Sequence, residues 1–201
     1  MKLPEIIKKG NHYKDKIKKL LMRTFVAIEI DNQEILDSIN KVQSKLKINA
    51  KPISTKNIHF TLYFLGEVSD PVSQKIQEAL GSIEFQPFEV CIRGVGAFPK
   101  PNFPRIIWVG TDNEGGKKLI ELASVVEERL SNLGFQKDKP FKPHATIFRV
   151  KNKIGNISDE LKKLEMYSFG IQKVSEIKFK KSVLTSDGPI YSDLQVVKAK
   201  Q

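Results

Sequence analysis

His59-Phe60-Thr61-Leu62-Tyr63-Phe64-Leu65-Gly66-Glu67 reads as a β-strand with two unlike faces. In a strand, residues i and i+2 point the same way. His59 and Thr61 therefore share one side, while Phe60 and Leu62 share the other. Gly66-Glu67 ends the run. Such alternation fits a sheet covered on one side only, which is the antiparallel pattern. The spelling returns in His144-Ala145-Thr146-Ile147, inside a strand expected over 143–150. The chain has only three histidines in 201 residues, so the recurrence carries information. One His-x-Thr strand alone would be an ordinary sheet position. Two copies, 85 residues apart, point to two lobes facing one groove.

Outward from these strands, elements alternate. Residues 22–30 are β-branched and apolar, and predict a strand. Asp31 is placed to cap a helix carrying Ile35, Leu36, Ile39, Val42 and Leu46 on one face. A second helix follows Gly66-Glu67, with Val72, Ile76, Ala79, Leu80 and Ile83 inward. Strands over 88–98 and 105–111 flank Phe98-Pro99-Lys100-Pro101-Asn102-Phe103-Pro104, where three prolines predict an irregular loop. A third helix over 114–133 turns Leu119, Leu122, Ala123, Val126, Leu130 and Leu133 inward, and Gly134 stops it. A short helix is expected over 158–165. Strands over 170–185 and 190–197 follow, turned at Asp187-Gly188. The pattern is α+β: an antiparallel sheet with helices on one face and the other face open.

The composition is ordinary for a soluble globular chain, at 40% hydrophobic and 28% charged. No run approaches the ~18–20 apolar residues that span a bilayer. Cys91 is the only cysteine, which excludes an internal disulfide and points to the cytoplasm. The formal net charge of +11 favours polyanions. Residues 1–21 carry seven lysines against Glu5 and Asp15, a net of +5, leaving +6 for the remainder. Excess lysine that merely aids solubility explains this body charge about as well as a nucleic-acid surface does. The stretch 1–21 reads as a basic extension, separate from a domain over 22–201. His12 lies in it without a nearby threonine.

Two histidines and two threonines suit displacement at a phosphodiester. One group must take a proton from the attacking oxygen, and another must give a proton to the leaving oxygen. Imidazole does either near neutral pH. Two hydroxyls can donate to the non-bridging oxygens. The set requires no metal or other cofactor. The sequence also lacks a close histidine pair or a His-Glu-x-x-His string. Gly115-Gly116-Lys117-Lys118 lacks the first glycine of a phosphate-binding loop, and is read as the first turn of a helix.

The paired motifs resemble the 2H phosphoesterase superfamily, and within it the RNA 2′,3′-cyclic phosphodiesterase (2′-5′ RNA ligase) family. The flanks resemble it too: Met22–Ile28, His59–Glu67, Pro104–Trp108, His144–Arg149, Lys181–Thr185 and Gly188–Tyr191. The likeness covers residues 22 to about 197. It implies a bilobal fold of two pseudo-symmetric antiparallel-sheet lobes, with helices on the outer faces and a central groove. It implies hydrolysis of a 2′,3′-cyclic phosphate at an RNA end to a 2′-phosphomonoester, with His59 as proton donor and His144 as proton acceptor. Thr61, Thr146 and Arg149 would hold the phosphate, and Phe64 a base or ribose. Strict alternation puts Arg149 and Phe64 on the buried side, so each strand must bulge or end before reaching them. By the same count Tyr63 and Phe148 fall on the groove face. Residues 1–21 precede the family's usual start, which makes Met22 a candidate initiator. Ser186-Asp187 stands where that family often has a proline.

Two other readings remain open on sequence. One is a non-catalytic protein that binds RNA ends. The other is a phosphodiesterase for small cyclic nucleotides or ADP-ribose cyclic phosphate. Ligation at 2′-5′ linkages is the same chemistry run with a sugar hydroxyl in place of water. The expected partner is RNA with a cyclic phosphate end, met by a monomer away from membranes.

Overall fold

A computed structural model describes residues 21–137 and 139–200. Residues 1–20 of the expected basic extension lie outside the described part. Leu21 already belongs to the first strand, one residue before the expected boundary. The elements run β1 (Leu21–Glu29), α1 (Gln33–Lys45), β2 (Lys51–Pro52), a 3-10 turn (Thr55–Asn57), β3 (His59–Ser69) and α2 (Asp70–Gly81). There follow β4 (Phe88–Lys100), β5 (Phe103–Thr111), α3 (Asn113–Ser131), β6 (Ala145–Arg149), α4 (Ser158–Lys162), β7 (Ser168–Val174), β8 (Glu176–Leu184) and β9 (Pro189–Lys198). The fold is α+β, as the alternation predicts. Its sheet runs β7-β4-β5-β6-β3-β1-β8-β9, with β2 beside β6, and every pairing is antiparallel. The two motif strands meet at the centre through Phe60 and Ala145, the residues directly after the two histidines.

The helices cover the sheet where their apolar stripes predict. α1 packs on β7, α2 on β3 and β9, and α3 on β3 and β4. Ile35, Ile39 and Val42 of α1 are buried, as are Leu119, Leu122, Ala123, Val126 and Leu130 of α3. Beneath them lie Phe60, Leu62, Ala145 and Ile147, the apolar partners of the two motifs. Among the described residues no helix is long and apolar enough to cross a membrane.

Several local expectations change. Asn32, not Asp31, caps α1, accepting from the backbone N–H groups of Glu34 and Ile35. The Asp31 carboxylate is taken by the Gln172 side chain, which donates to it at 2.7 Å. Val72 and Leu133 are exposed rather than inward. Val72 sits in the first turn of α2, and Leu133 beyond the end of α3, so neither is held to its helix's buried stripe. The proline-rich stretch is no irregular loop. β4 and β5 run through it and pair Pro99 with Pro104, leaving only Pro101 and Asn102 to turn. A register shift between Phe98 and Pro99 lets the ladder proceed without the donors that prolines lack. Residues 168–184 form two strands rather than one, broken at Ser175.

The Phe60 ring is fully buried at the junction of β3 and β6. Phe60→Ala is expected to lower unfolding free energy by ~3–5 kcal/mol, measured by urea denaturation. A loss below ~1 kcal/mol would show that this junction does not anchor the sheet.

Candidate active site

Period-two alternation would have buried half of the site, and a bulge prevents it. In β3, Val26 faces Tyr63 but Ala27 faces Thr61, so Leu62 is an extra residue. In β6, Ile107 faces Phe148 but Trp108 faces Thr146, so Ile147 is extra. Both inserted residues come three positions after the histidine. Each shifts the later side chains to the opposite face. Arg149 therefore emerges on the open side beside His144 and Thr146. Phe64, at the matching place in β3, is 52% exposed. The same flip buries Tyr63 and Phe148, at 2% exposure each, contrary to the groove-facing positions that simple counting assigns them.

The open face holds one cavity of about 660 Å³ lined by His59, Thr61, His144, Thr146 and Arg149. Five of the six residues singled out from the sequence thus line one space. Phe64 does not line it. Its ring lies under the Arg23 guanidinium, 4.9 Å away, on the adjoining surface. Sequence reasoning missed Lys51, Lys56 and Lys151, which also line the cavity. A lysine in a lysine-rich chain carries no signal of its own. Tyr191 lines it as well, and was marked only as part of a flanking segment.

Each imidazole is fixed by the backbone two residues before it. His59 Nδ1 lies 2.8 Å from the Asn57 carbonyl oxygen, and His144 Nδ1 lies 2.7 Å from that of Lys142. A carbonyl only accepts, so in each ring Nδ1 carries a hydrogen. The neutral ring then presents a bare Nε2 lone pair, the form that accepts a proton. Phe25 stacks on His59 at 5.0 Å, and Tyr191 meets its edge at 5.4 Å. Phe98 and Trp108 meet His144 edgewise at 5.1 and 6.4 Å.

Burial dominates the titration of both rings. It pushes His59 down from the ordinary imidazole value to about 4, against the Asn57 carbonyl, which favours the charged form. The charges of Lys180 and Arg149 push the same way as burial, and that of Glu29 opposes it. Burial also lowers His144, with the Lys142 carbonyl opposing. Both rings are thus neutral at pH 7 in the free protein. A nearby anion favours the charged form of an imidazole. Among the described residues, no group of three or more His, Cys, Asp or Glu side chains is placed to hold a metal ion. The chemistry on offer is proton transfer at two imidazoles, beside two hydroxyls and a guanidinium that can hold an oxyanion.

Comparisons with known proteins show the family of the chain. The LigT-like phosphoesterase model matches the chain twice, over residues 28–108 and 109–191, once for each motif. An RNA 2′,3′-cyclic phosphodiesterase of Archaeoglobus fulgidus is 42% identical over 177 residues, covering 87% of this chain and 99% of its own. One from Methanocaldococcus jannaschii is 38% identical over 175 residues, covering 85% and 96%. Among solved structures, TT0787 of Thermus thermophilus superposes with a TM-score of 0.74 at 27% identity, covering 88% of this chain and 97% of that one.

In the free protein, nitrogen NMR is expected to show both imidazoles neutral at pH 7 with the hydrogen on Nδ1. His59 should titrate near 4, and His144 below 6.5. A proton on Nε2 of either neutral ring would contradict the carbonyl bonds.

Proposed function

As the chain belongs to the LigT-like phosphoesterase family, we propose that it hydrolyses 2′,3′-cyclic phosphodiesters at RNA ends to 2′-phosphomonoesters, by acid–base catalysis between His59 and His144 without a metal ion. The observation that carries the reading is the convergence of two bulged His-x-Thr strands on one cavity. The sheet order supports a bilobal form. Its eight-strand path divides into two sets of four between β6 and β3, with one motif strand on each side of the division.

His144 accepts a proton from water through Nε2 as the water oxygen attacks phosphorus. The bond from phosphorus to the 3′ oxygen breaks, and His59 gives that oxygen its proton. The bond from phosphorus to the 2′ oxygen is untouched, so the phosphate, now carrying the water oxygen, stays on the 2′ oxygen. Thr61 and Thr146 donate hydrogen bonds to the non-bridging oxygens, and Arg149 compensates their charge. His59 is neutral in the free site, so it acquires its proton against the bound phosphate, whose negative charge favours imidazolium. Phe64 offers an apolar ring to the terminal base or ribose at the edge of the groove.

Four cations line the cavity, Lys51, Lys56, Arg149 and Lys151, against the single acid Asp187. That balance suits a substrate with further phosphates, as in RNA, better than an isolated cyclic nucleotide. Joining a 5′-hydroxyl RNA end to the cyclic phosphate uses the same groups, with the sugar hydroxyl replacing water. The reading is of a monomer that meets RNA in the cytoplasm, consistent with a single unpaired cysteine.

The test is product analysis with a short RNA ending in a 2′,3′-cyclic phosphate. A 2′-phosphomonoester is expected, with turnover unaffected by EDTA. His59→Ala and His144→Ala should each cost ~10²–10⁴-fold in kcat. A substrate whose leaving group needs little protonation should restore His59→Ala but not His144→Ala. The rate requires one proton on the pair, and both pKa values lie below 6.5 in the free site. The optimum of kcat/KM is therefore expected below pH 6.5, with loss on either side. RNA binding without turnover would replace catalysis with end recognition. Faster turnover of a cyclic mononucleotide than of the RNA would transfer the substrate class.

A further inference from the structure

The two motif strands hold equivalent places in the sheet, yet their surroundings differ in kind. The registers match pair for pair. Ala27 faces Thr61 where Trp108 faces Thr146, and Phe25 faces Phe64 where Ile106 faces Arg149. One strand further out, Lys178 and Lys180 pair with Ala27 and Phe25, where Gly96 and Phe98 pair with Trp108 and Ile106. Glu29 lies directly across the strand from His59. Carrying the Val109–Ala145 register one step on places Gly110 across from His144. Directly opposed residues in an antiparallel pair project to the same side. His59 thus has a carboxylate for its cross-strand neighbour, and His144 has no side chain at all.

Each set of neighbours is built with care. Glu29 binds Lys178 through one oxygen and Lys180 through the other, each at 2.5 Å. Lys180, only 4% exposed, also bridges to Asp193 on β9. Burial works to raise the Glu29 carboxyl, but the bonds and charges of the two lysines outweigh it and hold it low, so it stays ionised. In the other half the Trp108 indole fills the corresponding space. A Cβ at Gly96 would lie 2.2 Å from its ring, and one at Gly110 would lie 3.1 Å away. A buried ion network is weak as a source of stability, because desolvation of the charges cancels most of their attraction. Its presence beside one reacting imidazole and not the other calls for a different account.

We propose that the Glu29–Lys180–Asp193 network is a positioning element for His59 alone, and that it makes the two histidines unequal, fitting His59 to be the proton donor and leaving His144 the acceptor. This rests on the reading of both rings as reacting groups. The charges that act on His59 are Lys180 from β8, Glu29 from β1 and Arg149 from β6, with Tyr191 of β9 at the ring edge. Lys178 and Asp193 complete the network, and Lys51, Lys56, Lys151, Asp187 and His144 line the same cavity. In the free site Lys180 favours the neutral ring, which keeps a buried imidazole from charging without substrate. Once the phosphate enters, Glu29 stabilises the imidazolium from the far side. His144 faces aromatic rings, and its proton affinity is set by burial and the Lys142 carbonyl.

NMR titration of the imidazoles in substrate-free protein tests the network apart from the assigned reaction. Lys180→Met removes the nearby cation and is expected to raise the His59 pKa by ~1 unit or more, with Lys180→Arg restoring it. Glu29→Gln keeps the shape and removes the anion, so it is expected to move His59 in the opposite direction. His144 should not move in any of them. In kcat/KM, the pH limb that follows His59 should shift with each variant. Equal movement of both histidines, or movement of neither in folded protein, would reduce the network to a structural role. Should Lys180→Met fail to fold, Glu29→Gln decides: a downward shift confined to His59 supports the assignment, and no shift overturns it. Absence of cyclic phosphate hydrolysis in the unmodified protein would overturn the proposed reaction while leaving the titration result intact.

Discussion

The site depends on one geometric constraint, the strict period of two in a β-strand. A regular strand that shows His59 and Thr61 to the groove must bury the residue five positions after the histidine. The same holds for His144, Thr146 and Arg149. Inserting Leu62 and Ile147 breaks the period after the threonine of each motif, and β3 shifts once more at Leu65, beyond Phe64. The histidine and threonine stay on the ladder before the break, and the arginine or phenylalanine reappears after it. The apolar cost is small, because both inserted residues are themselves buried. A guanidinium joins the two hydroxyls without a loop having to carry it.

The scaffold under the site is built before either bulge. Phe60 and Ala145 meet between β3 and β6, fully buried, with the helices beneath. The two threonines therefore stand on strands that pair with each other, with His59 opening β3 and His144 directly before β6. The backbone carbonyls of Asn57 and Lys142 complete the arrangement by orienting each ring from two residues upstream. Burial holds the pKa of both imidazoles below the ordinary value.

The two halves of the sheet share their strand registers but not their side chains. One uses glycines at 96 and 110 to admit an indole, and the other uses an ion network in the same space. Such divergence suits the chemistry. A displacement at phosphorus needs one group that gives a proton and one that takes it. Two identical environments would leave that division to the substrate alone.

The sequence by itself determined the α+β class, most of the helix faces, and the two His–Thr pairs that line the cavity. These are local properties: apolar spacing reports a helix stripe, and His-x-Thr reports one face of a strand, whatever lies beyond. The net positive charge was legible too, although which lysines face the cavity was not. Tertiary structure alone decided where the period breaks, since a bulge is a mismatch between a strand and its partner and neither strand records it singly. That is why Tyr63 and Phe148 turned inward and Phe64 outward, against the count. It alone brought Glu29, Lys180 and Asp193 beside His59, because residues some 150 positions apart become neighbours only through the register of β1, β8 and β9. Proline signals misled for the same reason. Pro99 and Pro104 read as breakers one at a time, yet paired across a hairpin with a shifted register they leave the ladder intact.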